Sequence, residues 1–418
     1  MNRIVNGTDS VRCKKDYRMI IYMGLIYIST ILIRFQSSFR FLMYAFIVFG
    51  IVKSALHDKE ILYTFVNKYR IIACWAVWVV IFTCFMEWIL YDSFSFGAII
   101  QPIFIFGTVF LSFSLAAKYS ETGCKKLLFI INIVIIFAAI VGIRELITQK
   151  NIFFPNYGNP WQQYRVCSLF RHPIIYAALL MVSFFYVLYF GKKKWLKAVG
   201  LIIILIGIYA SRSRSCWIAL VFSFFIIGLA TFSHRMKKAT IVRIGLILGA
   251  CLAFVASPMG NKMIDSIISR FTNMSDTVEA TQRMGTISYF YDLLIKEGNI
   301  VTLLLGHGED AAAMILKQTT ISIENFTTTD NQYVSFLYNY GLIVLVMVIV
   351  FLFKMCMRFI QHYNSMNSME RFCLITIISQ SIGAFFYEIT EAKTISFVLF
   401  VLVGFELFYL SNSKPDPC

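Results

Sequence analysis

The sequence predicts an all-α polytopic membrane protein of about twelve transmembrane helices, with a large external loop that contains amphipathic helices. Three observations lead there: the composition, the recurrence of long apolar stretches, and the distribution of basic residues between the loops. Of 418 residues, 59% are hydrophobic, 17% aromatic and only 14% charged, with a mean hydropathy of +0.73. A soluble domain carries about 45–50% apolar and about 25% charged residues. This chain therefore lacks the charge to cover a water-exposed surface. A secreted disulfide scaffold, a disordered chain and a free cytosolic enzyme are excluded.

A helix needs about 20 mainly apolar residues to cross the hydrocarbon core, because lipid offers no partner to an exposed backbone polar group. Twelve stretches qualify, at 19–33, 41–56, 71–91, 97–117, 127–148, 173–190, 196–210, 215–232, 241–257, 332–353, 372–388 and 394–410. The organisation expected from them begins with a cytoplasmic tail, 1–18, and a block of nine spans, 19–257, interrupted by an external loop at about 149–172. A large external loop, 258–331, a block of three spans, 332–410, and a cytoplasmic tail, 411–418, complete it.

Lys and Arg are retained on the cytoplasmic side. With the N-terminus inside, 24 of the 38 basic residues fall on inner segments against 8 acidic ones, and 14 basic balance 14 acidic on the outside. The whole net charge of +16 thus lies on the inner face, and it accounts for the pI of 9.4 without nucleic-acid binding. The expected location is the cytoplasmic (inner) membrane, multi-pass, with both termini cytoplasmic. No small-residue cleavage site follows the first span, so no cleavable signal is expected. The ending Pro415-Asp416-Pro417-Cys418 is not a prenylation box. Most of the ten cysteines fall in spans or inside, which argues against a disulfide framework. No internal repeat and no phosphate-binding glycine loop is evident, so an ATP-driven pump is not indicated.

The chemistry concentrates at the outer ends of spans. Arg165 and Arg171 bracket a short segment before the span that starts at Pro173, and Arg212 and Arg214 lie in the Ser-Arg-Ser-Arg-Ser turn between two spans. The positive-inside rule does not explain external arginines, and a cation at membrane depth is costly unless paired or hydrated. Guanidinium is the side chain best matched to phosphate. With Arg283 of the large loop, these arginines suggest a diphosphate at the outer membrane surface. Within that loop Met263, Ile264, Ile267, Ile268 and Phe271 are spaced to form one apolar helix face, and Ile287, Phe290, Leu293 and Leu294 form another. Gly306-His307-Gly308 reads as a tight turn beside a ligand. Asp330 stands at the N-cap position of the tenth span. Glu388 and Glu391, in the last external turn, are available to pair with arginine or to bind sugar hydroxyls.

In their order, these segments resemble the O-antigen polymerase and O-antigen ligase superfamily of bacterial membrane glycosyltransferases. Arg165 to Pro173 is similar to the family's Arg, Ser, Phe, Pro segment, and Ser213 to Ala219 to its Ser-Arg turn. Arg283 to Gly308 is similar to the loop stretch that runs from an arginine through a helix to Gly-x-Gly. Asp330-Asn331 followed by nine residues and Gly341 matches the ligase spacing of His-Asn, nine residues and Gly. The resemblance covers roughly 160–345. Ligases carry a histidine where this chain has Asp330, and Val344 departs from the residue that closes the motif; both differences favour the polymerase branch.

The resemblance implies a metal-independent, cofactor-free polysaccharide polymerase. Its donor would be an undecaprenyl-diphosphate-linked oligosaccharide, and its acceptor the terminal sugar of another lipid-linked repeat. Arg214 and Arg283 would stabilise the diphosphate leaving group, with Arg165, Arg171 and Arg212 assisting. Asp330 would take the acceptor proton, with His307 in reserve. Membrane lipid is the medium, and polymerases of this kind commonly work with a chain-length regulator protein. The rivals are a ligase that transfers polymer to lipid A core and a transporter of lipid-linked sugars. A transporter calls for related halves and polar residues at the bilayer midplane, whereas here the cations gather at span ends beside one large loop.

Overall fold

The computed structural model describes residues 17–91, 96–155, 164–232, 278–297, 299–319 and 328–412; for a few of these, Arg283 among them, it describes the backbone alone. Every regular element among the described residues is helical. α1 (Arg18–Leu32), α2 (Phe39–His57), a short amphipathic α3 (Lys59–Lys68), α4 (Arg70–Tyr91) and α5 (Phe96–Thr148) come first. α6 (Pro173–Phe190), α7 (Lys194–Ala210) and α8 (Arg214–Phe232) follow. α9 (Val278–Tyr291), α10 (Ile300–Leu305) and α11 (Ala311–Gln318) come from the large loop, and α12 (Gln332–His362), α13 (Ser368–Gly383) and α14 (Lys393–Asn412) complete the chain.

Eleven of the twelve apolar stretches are helical; the stretch 241–257 lies outside the described residues, as does the amphipathic run from Met263 to Phe271. Among the described residues, six helices (α2, α5, α6, α8, α12 and α14) are long and apolar enough to cross a membrane. The protein is an all-helical, multi-pass membrane protein. α5 covers two of the predicted spans, because the backbone leaves the helical region at Ser120 (φ 53°) and the chain turns there. α13 stops at Gly383, short of its expected end, and residues 384–392 form a polar turn into α14.

α6 is the axial helix. Pro173 starts it, where the missing N–H costs nothing, and its residues from Pro173 to Phe185 are all buried. α13 and α14 pack beside it. α14 runs against the first half of α5 so closely that a Cβ on Gly404 would meet the Val109 carbonyl and lie 2.7 Å from Ser112 Cβ. Small residues allow such backbone approach between membrane helices. At one end of the bundle Arg358 bridges Glu370 (2.9 Å) and the fully buried Glu406 (3.1 Å), and Lys118 pairs with Asp58 at 2.5 Å. The polar groups described next lie at the opposite end.

Candidate functional site

Segment 164–170 is held by a buried carboxylate. Glu145, near the end of α5, accepts from Ser168 N (2.7 Å), Cys167 N (3.2 Å), Asn151 Nδ2 (3.0 Å) and Tyr164 Oη (2.9 Å). Four donors on one carboxylate offset its desolvation. The segment then docks on the α7–α8 turn: Val166 N donates to Ala210 O at 3.2 Å and Arg165 Nε to Ser211 O at 3.1 Å. That turn is tight, with Arg212 left-handed (φ 52°) and Ser213 Oγ 2.9 Å from Ser215 Oγ. Arg214 is the first residue of α8. Arg165 is 6% exposed and Arg214 9%, so two nearly buried guanidiniums share one end of the bundle. Arg171 parts from them. It is exposed, left-handed (φ 57°), and stacks over Phe154 with 5.6 Å to the ring centre. Arg283 lies on α9, and its side chain is outside the described residues.

The second half of the site is built around a break in α12. Gly341 takes φ 80°, ψ 174°, a region open to glycine alone, and the helical ladder stops there. The freed carbonyls of Tyr338 and Asn339 accept from His307 N (3.0 Å) and Gly308 N (2.9 Å). The Gly-His-Gly turn and the break are thus one interlocked unit. Gly306 and Gly341 face each other so closely that a Cβ on either would lie 2.6 Å from the other's backbone nitrogen. Asn339 extends the lock, its side chain accepting from Ala312 N at 2.9 Å. His307 stacks on Tyr338 (ring centres 4.1 Å apart, planes at 5°), with Nδ1 3.1 Å from the same Tyr338 carbonyl. Burial pushes its pKa down, against the raising effect of the Tyr338 carbonyl. Of the loop's second apolar run, Phe290 and Leu294 are buried against α11 and Tyr338, Leu293 packs beside them, and Ile287 points outward.

The cap of α12 is one residue later than the spacing suggested. Asn331 Oδ1 accepts from Tyr333 N (3.0 Å) and Val334 N (3.2 Å), while Asp330 sits before it in the left-handed region (φ 54°) and accepts from Thr328 Oγ1 at 3.4 Å. Asp330 is therefore relieved of the capping role. Its neighbour Thr329 donates through its backbone nitrogen (2.6 Å) and its hydroxyl to Glu388, which also accepts from Ser335 Oγ. Burial pushes Glu388 up to about 7, against the lowering effect of those donors. Glu391 is exposed.

Sequence reasoning did not single out the acid–base network that joins these parts. Glu309, directly after the Gly-His-Gly turn, is 5% exposed and accepts from Tyr340 Oη. Burial, reinforced by the adjacent Asp310, pushes it up to about 8. Asp310 is raised by burial and then by Glu391. Lys393 donates to Gln101 Oε1 (2.6 Å) and Thr390 O (3.0 Å), and Gln332 Oε1 accepts from Thr390 N at 2.8 Å. The sequence signal was a pair of acids abutting a glycine turn. From Tyr340, Gln332 and Thr390 an apolar groove of about 530 Å³ runs between α4, α5, α12 and α14, lined by Phe106, Val344 and Val403 among others. A polar head beside an apolar trough suits an amphiphile. Among the described residues no cluster of His, Cys, Asp and Glu could hold a metal ion.

Residues 199–349 match the family model described as Wzy_C, O-Antigen ligase. This stretch of the chain is thus similar to a domain shared by O-antigen polymerases and ligases, and it lies within the multi-pass helical bundle. The match includes Arg212, Arg214, the Gly-His-Gly turn, Asp330 and the break at Gly341; Arg165, Arg171, Glu388 and Glu391 lie outside it. No curated protein matches the chain.

Proposed function

We propose that the protein is a polymerase of undecaprenyl-diphosphate-linked oligosaccharide repeats, working at the outer face of the cytoplasmic membrane with both termini inside. The observation that carries this reading is the placement of two nearly buried guanidiniums, Arg165 and Arg214, at the same end of the bundle as an apolar groove headed by polar groups. A lipid diphosphate has that same division of character. The acceptor hydroxyl oxygen attacks the anomeric carbon as the bond to the diphosphate oxygen breaks. The proton passes to Asp330, and the electron pair leaves with the lipid diphosphate. Arginines at the leaving oxygen stabilise the charge as it develops, with Arg214 and Arg283 foremost and Arg165 and Arg212 beside them.

Asp330 is the base in this scheme because it is partly exposed at the N-terminal end of α12, and His307, held by stacking and through Nδ1, stays in reserve. The second reading, a ligase delivering finished polymer to lipid A core, is favoured by the ligase description of the matched family. Arg214→Ala, assayed for glycosyl transfer by the purified protein, is expected to lose about 10²–10³-fold in kcat while remaining in the membrane. Wild-type turnover in that variant refutes the diphosphate clamp.

A further inference from the structure

The five arginines singled out by sequence do not stay together. Arg165 packs on Ser211, but Arg171 lies beyond the 168–170 turn, over Phe154. Phe154 stacks on Phe35 at 4.9 Å, which places Arg171 beside the α1–α2 connection and its Arg34. The charges acting on Arg34 agree: burial and the nearby Arg171 and Arg40 all depress its pKa, and Glu391 alone opposes them. Among the described residues, none of these three guanidiniums lies within ion-pair distance of a carboxylate. Arg40 also stands in the first turn of α2, which holds no acidic residue. A cation at the positive end of a helix dipole is the unfavourable arrangement. Like charges gathered there, with one guanidinium half-buried, are stabilised by an anion of more than one charge.

We infer that Arg34, Arg40 and Arg171 form a second anion site, separate from Arg165 and Arg214, that takes the diphosphate of a second polyprenyl-linked chain. This rests on the polymerase reading, which requires two such lipids at once: one gives up its diphosphate, and the other keeps it as the acceptor's anchor. A ligase acting on lipid A core needs one. Phe35, 46% exposed, and Phe154 set an aromatic surface beside the cations. That surface suits the sugar or isoprenoid next to a diphosphate better than a phospholipid headgroup, whose phosphodiester carries a single charge.

The test is native mass spectrometry of the full chain in phosphatidylcholine nanodiscs, with undecaprenyl diphosphate as the probe. Wild type should bind two probe molecules, and the variant with Arg34→Gln, Arg40→Gln and Arg171→Gln should bind one. Arg40→Gln alone, an exposed change that leaves the packing intact, should weaken the second site about tenfold. Glu391→Gln, which removes the one negative charge acting on Arg34, should tighten it. One molecule bound to wild type overturns the inference, as do two bound to the triple variant. Displacement of the second probe by an equal concentration of phosphatidylglycerol also overturns it, assigning the site to bulk headgroups. The same preparations are assayed for polymer. No ladder from wild type defeats the polymerase reading itself; a normal ladder from the triple variant defeats only the second site.

Discussion

Gly341→Ala is the most informative single change to the frame of the site. The added methyl would occupy a backbone conformation (φ 80°, ψ 174°) that costs a non-glycine residue about 1–3 kcal/mol. It would also lie 2.6 Å from Gly306 N and against the Leu304 carbonyl, both backbone atoms that cannot rotate away. Separating the turn from the helix break cuts the bonds from His307 N and Gly308 N to Tyr338 O and Asn339 O. Each of those contributes about 0.5–1.5 kcal/mol, so the turn should be destabilised by about 2–6 kcal/mol in total. Because the clash is local, most of this should appear as detachment of the Gly-His-Gly turn rather than loss of the bundle. Hydrogen exchange at residues 300–318 and polymer yield measure it: exchange should rise by at least about tenfold and polymer should fall. Gly228→Ala is the control, since a methyl there has no neighbour within 4 Å. Wild-type exchange and yield in Gly341→Ala would refute the interlocked-glycine argument.

Other expectations are smaller in scope. Glu309 and Glu388 are raised from 4.5 to about 8 and about 7 by burial, so the folded protein holds protons that the unfolded chain has released. Their contribution to stability should be fully present below pH 4.5 and be lost as pH rises towards 8. Glu309→Gln should flatten that decline in a melting series, and an unchanged slope would contradict the assignment. Asp330→Asn should cut turnover about 10²–10⁴-fold with carrier affinity unaltered; a matching loss of affinity would mean that Asp330 positions substrate instead. Val350→Trp, placed in the groove on a residue 45% exposed, should raise KM for the full-length carrier and leave a short-chain farnesyl analogue unaffected. Equal effects on both would remove the lipid from the groove.

The helices were legible because burial in lipid writes itself into runs of about 20 apolar residues, and the stretches at 97–117 and 127–148 even anticipated the turn at Ser120 inside α5. The Gly-x-Gly turn and Gly341 were legible as residues but not as partners, since nothing local says that two glycines 35 positions apart share one backbone contact. Asp330 was read one place too early as the cap, because Asp and Asn both cap well and only the backbone angles separate them. Lys393 with Gln101, and Arg171 with Arg34, join segments far apart in the chain. Such pairings are decided by helix packing and leave no local pattern. Burial turned Glu309 from an ordinary loop acid into a proton-holding group, and burial of a single polar residue is the least readable property of a sequence.

The central claim is that two lipid-diphosphate repeats are joined at this site with no other acceptor. The direct measurement supplies the purified protein, in nanodiscs, with undecaprenyl-diphosphate-linked repeat units alone and resolves the products by length. A ladder of increasing length is expected. Transfer only after lipid A core is added would contradict it and make the protein a ligase. No product with either acceptor, from folded protein, would contradict glycosyl transfer altogether.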